Sequence, residues 1–282
     1  MGLSVIVTSY RSAATLSACV ERLQQDPDVR QILVADCSES APALPVAVRR
    51  FPTPTPVPEM RWAMLPEVTE AVVACLEGRC IPPVGWGATI VAAHAEFRAS
   101  PAIGGAVDNA PDASWIDHGV WFCEYAAYAP PLPCAPAADL SGAHLSYKTA
   151  ALRQERDLLA TGAWETLLHH RWRASGLELR TIPSAILFRN GMSALNFLRQ
   201  RVHYGREFAA ARFENVRRWE WGLVTPLLPA LLTIRTAVAA RRAGRLGLFL
   251  KCLPVIFFFH SAWSAGELLG YWFGSSGKKR IY

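Results

Sequence analysis

The first 36 residues constrain the fold more than any other part of this chain. Leu3–Thr8 is a short apolar, β-branched run, the composition of a fully buried strand. Ser12 then stands where a helix cap belongs, and Leu16, Val20 and Leu23 recur at helical spacing up to Asp26-Pro27. Gln31–Ala35 (QILVA) is a second strand, ending in Asp36-Cys37-Ser38. Strand, helix and strand within about 35 residues form a βαβ unit, which implies a parallel sheet with a right-handed crossover. Ligands of such sheets bind beyond the carboxyl ends of the strands. Tyr10, Asp36 and, after a third run Val72–Leu76, Glu77 all follow strands, so the three are expected to face one crevice.

Further along, Trp86, Ile90 and Phe97 recur at helical spacing, and Pro101–Val107 reads as a strand. Residues 41–58 and Pro130–Pro136 are Pro-rich connections, the second stiff enough for a lid or spacer. Trp164–Ser175 reads as a helix closed by Gly176, with His169 and His170 as ordinary helix residues. Seven cysteines without CxxC or His spacing argue against a disulfide framework or zinc site and for reduced thiols. Cys75 and Cys80 read as small buried residues. The opening MGLSVIVTSYRS has neither the basic segment nor the long apolar core of a signal peptide.

The last third differs in kind. The net charge of +6 is unevenly placed, since residues 199–282 carry 14 Lys and Arg against 4 Asp and Glu. Leu195, Leu198, Val202, Gly205, Ala209, Phe213 and Val216 form an apolar or small stripe. Arg199, Arg201, Arg206, Arg212, Arg217 and Arg218 fill the other positions. That pattern suits an anionic membrane surface. The uncharged blocks Trp221–Ile234 and Cys252–Gly266 follow, each short of the roughly 20 residues of a comfortable span. Arg217/Arg218, Arg241/Arg242/Arg245 and Lys278/Lys279/Arg280 flank them with positive charge throughout. The expectation is therefore a hairpin embedded in one leaflet at the cytoplasmic face, with two tight spans as the alternative.

Residues 3–190 carry a resemblance as well. Ser4-Val5-Ile6-Val7-Thr8-Ser9-Tyr10, then Ile32–Ser38, then Val72–Trp86 with its Pro82-Pro83-Val84-Gly85-Trp86 follow one another in order. Asp139–Lys148 (DLSGAHLSYK) and Gly162-Ala163-Trp164-Glu165-Thr166 complete the set. Together they resemble family 2 glycosyltransferases, inverting sugar transferases with an α/β GT-A fold. The resemblance implies a GT-A domain over residues 1–190 and a membrane-associated helical segment over 191–282. It implies a nucleotide-sugar donor, with Thr8, Tyr10, Asp36, Arg61, Glu77 and Arg79 on the donor side and Asp36 reading the base. Gly142 and His144 would border the acceptor, and Glu165 would be the catalytic base, although His144 also reads as a satisfied strand residue. The acceptor would be lipid-linked, a lipid or polyprenyl phosphate among the candidates, and nucleic acid is not expected as a partner.

The departures fall on the metal. Where the family carries an Asp-x-Asp-like motif for Mg²⁺ or Mn²⁺, this chain has Glu77-Gly78-Arg79, and Arg189 stands near a late metal-ligand position. Either Glu77 gives one oxygen to a metal, or the arginines hold the diphosphate by charge-assisted bonds. The alternative function is a catalytically silent GT-A-like scaffold that binds a nucleotide or partners an active transferase. A nucleotidyltransferase is a weaker reading, because no Gly-rich, Lys-bearing loop follows the first strand.

Overall fold

The computed structural model describes residues 2–10, 12–38, 42–53, 55–212 and 218–275. The chain divides into a unit of Met1–Ala110 with Pro130–Gly191 and a unit of Pro111–Ala129 with Met192–Tyr282.

The first unit holds β1 (Leu3–Ser9), α1 (Ala13–Gln24), β2 (Val29–Asp36), β3 (Val48–Arg50), α2 (Val57–Ala63), β4 (Val72–Glu77), β5 (Cys80–Ile81), α3 (Trp86–Glu96) and β6 (Ala102–Asn109). After residues 111–129, which include α4 (Trp115–Tyr125), it resumes with β7 (Ala135–Ala137), β8 (His144–Lys148), α5 (Thr149–Gln154), α6 (Arg156–Leu159), α7 (Glu165–Ala174) and β9 (Leu179–Phe188). The strands form one sheet in the order β3-β2-β1-β4-β8-β6-β9-β5, with β7 paired to β9. β1 lies parallel to both β2 and β4 and is buried along its length. A strand covered on both faces has no solvent side, so its sequence is a continuous apolar run. Leu16, Cys19, Val20 and Leu23 of α1 are fully buried, each large side chain stabilising the unit by roughly 1.5–3 kcal/mol. Ser12 does precede this helix, but its hydroxyl donates to Tyr10 O (3.0 Å) and makes no side-chain cap bond.

β8 makes the sheet mixed. It runs antiparallel to both neighbours, and its first residue, His144, lies opposite Leu76 near the end of β4. The turn before β8 therefore comes to the end of the sheet where Glu77 stands. β9 runs parallel to β6 and brings Phe188 opposite Cys80 on β5. These pairings gather segments far apart in sequence at one sheet end.

The second unit contains α4, α8 (Ala194–Arg212), α9 (Arg218–Val224), α10 (Leu228–Arg242) and α11 (Leu246–Phe273). Residues 111–129, expected inside the first domain, pack here. Phe122 meets Phe249 edge-to-face at 5.7 Å, and Gly119 lets Val255 approach the α4 backbone. The expected stripe on α8 holds at Gly205 and Ala209, which are buried, but not at its start. Leu195 is 56% exposed, while Arg201 is buried and its guanidinium stacks over the Trp263 ring at 4.3 Å. The reason is close backbone contact. A Cβ at Gly205, Gly266 or Gly270 would run into the facing helix, so the glycines fix the seam between α8 and α11. Phe213, Val216, Arg217, Lys278, Lys279 and Arg280 lie outside the described residues, as do the side chains of Arg212 and Arg218. Glu220–Arg242 and Leu246–Phe273, 23 and 28 residues long, are long and apolar enough to cross a membrane by length and composition. They exceed the uncharged blocks because Arg235 and Lys251 sit within helices.

Candidate active site

The loop after β4 is pinned by its glycine. Gly78 N–H donates to Thr8 O (2.8 Å), and the Thr15 hydroxyl donates to Gly78 O (2.8 Å). A Cβ at position 78 would press on Leu16 and Ser12 at 3.0–3.1 Å, so only glycine passes between β1 and α1 without displacement. On either side, Glu77 Oε2 accepts a bond from Arg79 Nη2 at 2.7 Å, with the side chains 20% and 11% exposed. The Arg79 guanidinium also lies 5.1 Å from the Phe188 ring centroid. Arg189 N–H donates to Arg79 O (2.8 Å), so the two arginines singled out in the sequence are joined through their backbones.

A second ion pair lies at the turn before β8. Arg61 of α2 bonds Glu165 Oε1 through Nη1 and the Gly142 carbonyl through Nη2 (3.0 Å). The two side chains are 1% and 7% exposed. Glu165 opens α7, where a carboxylate is favoured by the helix dipole. Its Oε2 is turned toward Gly142, 3.7 Å from where a Cβ would stand. Arg61 was expected among the donor residues; its terminal nitrogens instead hold Glu165 and the Gly142 turn.

The remaining expected residues have internal partners. Thr8 donates to Leu76 O within the sheet (3.2 Å), and Tyr10 packs half-buried on the core. Asp36 is fully buried at the end of β2, where it accepts the Ser38 hydroxyl (2.9 Å) and amide (3.2 Å) and pairs with Arg50. His144, expected at the acceptor, lies in the interior. Its Nδ1 bonds Ala106 O (2.9 Å) and its Nε2 receives the Trp86 indole N–H (2.9 Å), so both ring nitrogens are used. Burial pushes its pKa down to about 4, against the Ala106 bond, and the ring is neutral.

One hydrogen-bonded chain, running from a part-exposed carboxylate into the core, went unread in the sequence. Asp139 Oδ1 meets His169 Nδ1 at 2.5 Å, and His169 Nε2 meets the Tyr147 hydroxyl at 3.1 Å. Asp139 also accepts the Leu140 amide (2.9 Å) and the Thr166 hydroxyl (3.2 Å). Burial raises the Asp139 carboxyl, but the bonds and charge of His169 with the other donors outweigh it and hold it below its usual value. The signal was present: His169 is four residues after Glu165, on the same face of α7.

These residues do not fit a divalent cation. Mg²⁺ and Mn²⁺ take several oxygen ligands. The carboxylate at the expected place, Glu77, is bonded to a guanidinium, and no group of three His, Cys, Asp or Glu able to hold a metal occurs among the described residues.

No protein-family model and no curated protein matches the chain. Solved structures do. The mannosyltransferase PcManGT from Pyrobaculum calidifontis, in complex with GDP-Man and Mn²⁺, superposes with a TM-score of 0.50 at 14% identity, covering 90% of this chain and 86% of that one. S. aureus TarS in complex with UDP-GlcNAc gives 0.47 at 14% identity over 98% and 93%. A CMP:2-keto-3-deoxy-manno-octonic acid synthetase with CTP gives 0.44 at 14% identity over 66% and 90%. The chain thus has a GT-A-like mixed α/β architecture followed by long helices. At such identities the likeness speaks for the fold and nothing finer.

Proposed function

We propose that this protein is an inverting, family 2-like glycosyltransferase using a nucleotide-sugar donor. The observation that carries the reading is the meeting of Glu165, Arg61 and the Gly142 turn, with β8 bringing that turn to the sheet end where Glu77 and Arg79 stand. Glu165 takes the proton of the acceptor hydroxyl through Oε2, while Arg61 fixes the other oxygen. The acceptor oxygen bonds the anomeric carbon as the bond to the nucleoside diphosphate breaks, and the electron pair leaves with the diphosphate. A single in-line displacement inverts the centre. Arg79, alongside Arg189, meets the negative charge of the diphosphate in place of a metal. Thr8, Tyr10 and Asp36 belong to the donor side, and Arg50, whose side chain is 51% exposed, swings away from Asp36 to admit the base.

We infer further that the enzyme works at the cytoplasmic face of a membrane, with the second unit embedded in it or spanning it, on a lipid-linked acceptor. The apolar lengths of Glu220–Arg242 and Leu246–Phe273 support this, as do exposed Leu227, Ile234, Phe258 and Phe273 and the basic turn at Arg241, Arg242 and Arg245.

A silent nucleotide-binding partner is the second reading, favoured by the internal bonds of Asp36 and Glu77. Binding and hydrolysis of UDP-GlcNAc and GDP-Man, with and without EDTA, separate the two. Binding that resists EDTA and is lost in Arg79→Ala, with turnover lost in Glu165→Gln, is the expected result. Binding that requires Mn²⁺ would sink the arginine cradle. Binding without turnover would favour the silent partner.

A further inference from the structure

We propose that Asp139 grips the acceptor by a hydroxyl group, so that the acceptor is a neutral, hydroxylated molecule and not a lipid phosphate. The proposal rests on the transferase reading above and names its second substrate by class.

An ionised carboxylate offers about four lone-pair sites. Asp139 fills three: His169 and the Leu140 amide on Oδ1, and the Thr166 hydroxyl on Oδ2. The remaining site is on Oδ2, and the side chain is 34% exposed, against 7% for Glu165 and 1% for His169. Asp139 is therefore a charged acceptor of hydrogen bonds, fixed in place and open to solvent. A hydroxyl hydrogen is what it lacks.

Its place in the fold puts it beside the reacting group. Thr166, which bonds Asp139, is the next residue after Glu165. Gly142, which Arg61 ties to Glu165, comes three residues after Asp139. Both carboxylates thus belong to the first turn of α7 and the loop that faces it. Trp164, just before Glu165, is 45% exposed and adds an aromatic surface for the C–H face of a ring.

The charges decide between a hydroxyl and a phosphate. Arg61 is matched to Glu165, and its Nε is enclosed with the rest of a side chain that is 1% exposed. His169 is bonded to Asp139. Arg173, on the same helix, donates to Ala138 O (3.3 Å). A phosphate dianion entering this corner would set its oxygens, which carry no proton, against the open Asp139 carboxylate oxygen, and two acceptors of like charge repel. A sugar or polyol instead supplies one hydroxyl for Glu165 and a neighbouring one for Asp139.

The experiment compares the full-length wild type with Asp139→Asn, using UDP-GlcNAc and GDP-Man as donors and octyl glucoside or farnesyl phosphate as acceptors. Asp139→Asn is expected to raise the KM for octyl glucoside by about tenfold or more, the worth of a hydrogen bond to a charged group. Farnesyl phosphate should not be glycosylated by the wild type. An unchanged KM, or farnesyl phosphate serving as well as the glucoside, would overturn the proposal. If Asp139→Asn does not fold, Asp139→Ser is read by the same two outcomes. A wild type that hydrolyses neither donor would sink the transferase reading itself, a result distinct from failure at Asp139.

Discussion

Two glutamate–arginine pairs stand at the same end of the sheet, and they differ in every respect that matters. Glu77 and Arg79 are two residues apart on one loop and partly exposed. Arg61 and Glu165 are 104 residues apart and almost wholly enclosed. The first pair forms from local sequence and is cheap to open, because water or an anion can replace either partner. The second joins α2 to α7, and separating it leaves a charge with no solvent. On the proposed function, one pair is suited to yield to a ligand and the other to hold the base still.

Mutation tests that difference most directly at the buried pair. Arg61→Met should cost about 3–5 kcal/mol of unfolding free energy, read by urea denaturation, because it strands Glu165. A loss below 1 kcal/mol would mean that the pair is no more than a surface contact. Glu165→Gln keeps the shape and removes the carboxylate proposed as the base. Turnover of the nucleotide sugar should fall by about 10²–10⁴-fold with donor affinity retained.

Acid supplies a probe of the ground between the pairs. His144 and His94 are both pushed down to about 4, His144 by burial and His94 by burial and then by Lys148. Each is neutral in the fold and binds protons more readily once unfolded. Their contribution is complete above the ordinary histidine value and is lost as pH falls from about 6.5 toward about 4. For His144 this amounts to about 3 kcal/mol, and His144→Asn should flatten the slope of unfolding free energy across that window. The smallest stability effect belongs to the loop. Arg79→Ala should lower the unfolding free energy by less than Arg61→Met does, because the loop pair ties no two elements together, while abolishing donor binding. A large stability loss there would erase the contrast between the two pairs.

The sheet was legible because its strands carry the signal themselves. Leu3–Thr8, Gln31–Ala35 and Val72–Leu76 are mostly apolar, β-branched runs between turn residues, and they are too short for a buried helix. The break after β4 was legible too, since a Gly close to a Pro-Pro pair marks a loop locally. What escaped depends on long-range geometry. Nothing near Arg61 points to Glu165, and Arg201 reads as a polar-face residue until Gly205 and Gly266 bring Trp263 to it. His169 looked ordinary because its partners, Asp139 and Tyr147, lie 30 and 22 residues upstream. Residues 111–129 show the same limit: their packing on α11 rests on contacts such as Phe122 with Phe249, more than a hundred residues apart.

The short strand β8 has a consequence beyond reversing direction. Its side chains alternate between the two faces of the sheet. Tyr147 reaches His169 on α7 on one side, while His144 and Ser146 reach Trp86 and His94 on α3 on the other. The strand acts as a bolt passed through a plate, tightened from both sides by buried hydrogen bonds. A slip of one residue would exchange the two sets, setting a phenol against the indole, and an imidazole and a hydroxyl against the opposite layer. Each face therefore checks the thread of the other, and a substitution behind the sheet at Trp86 should be felt in front of it, at α7.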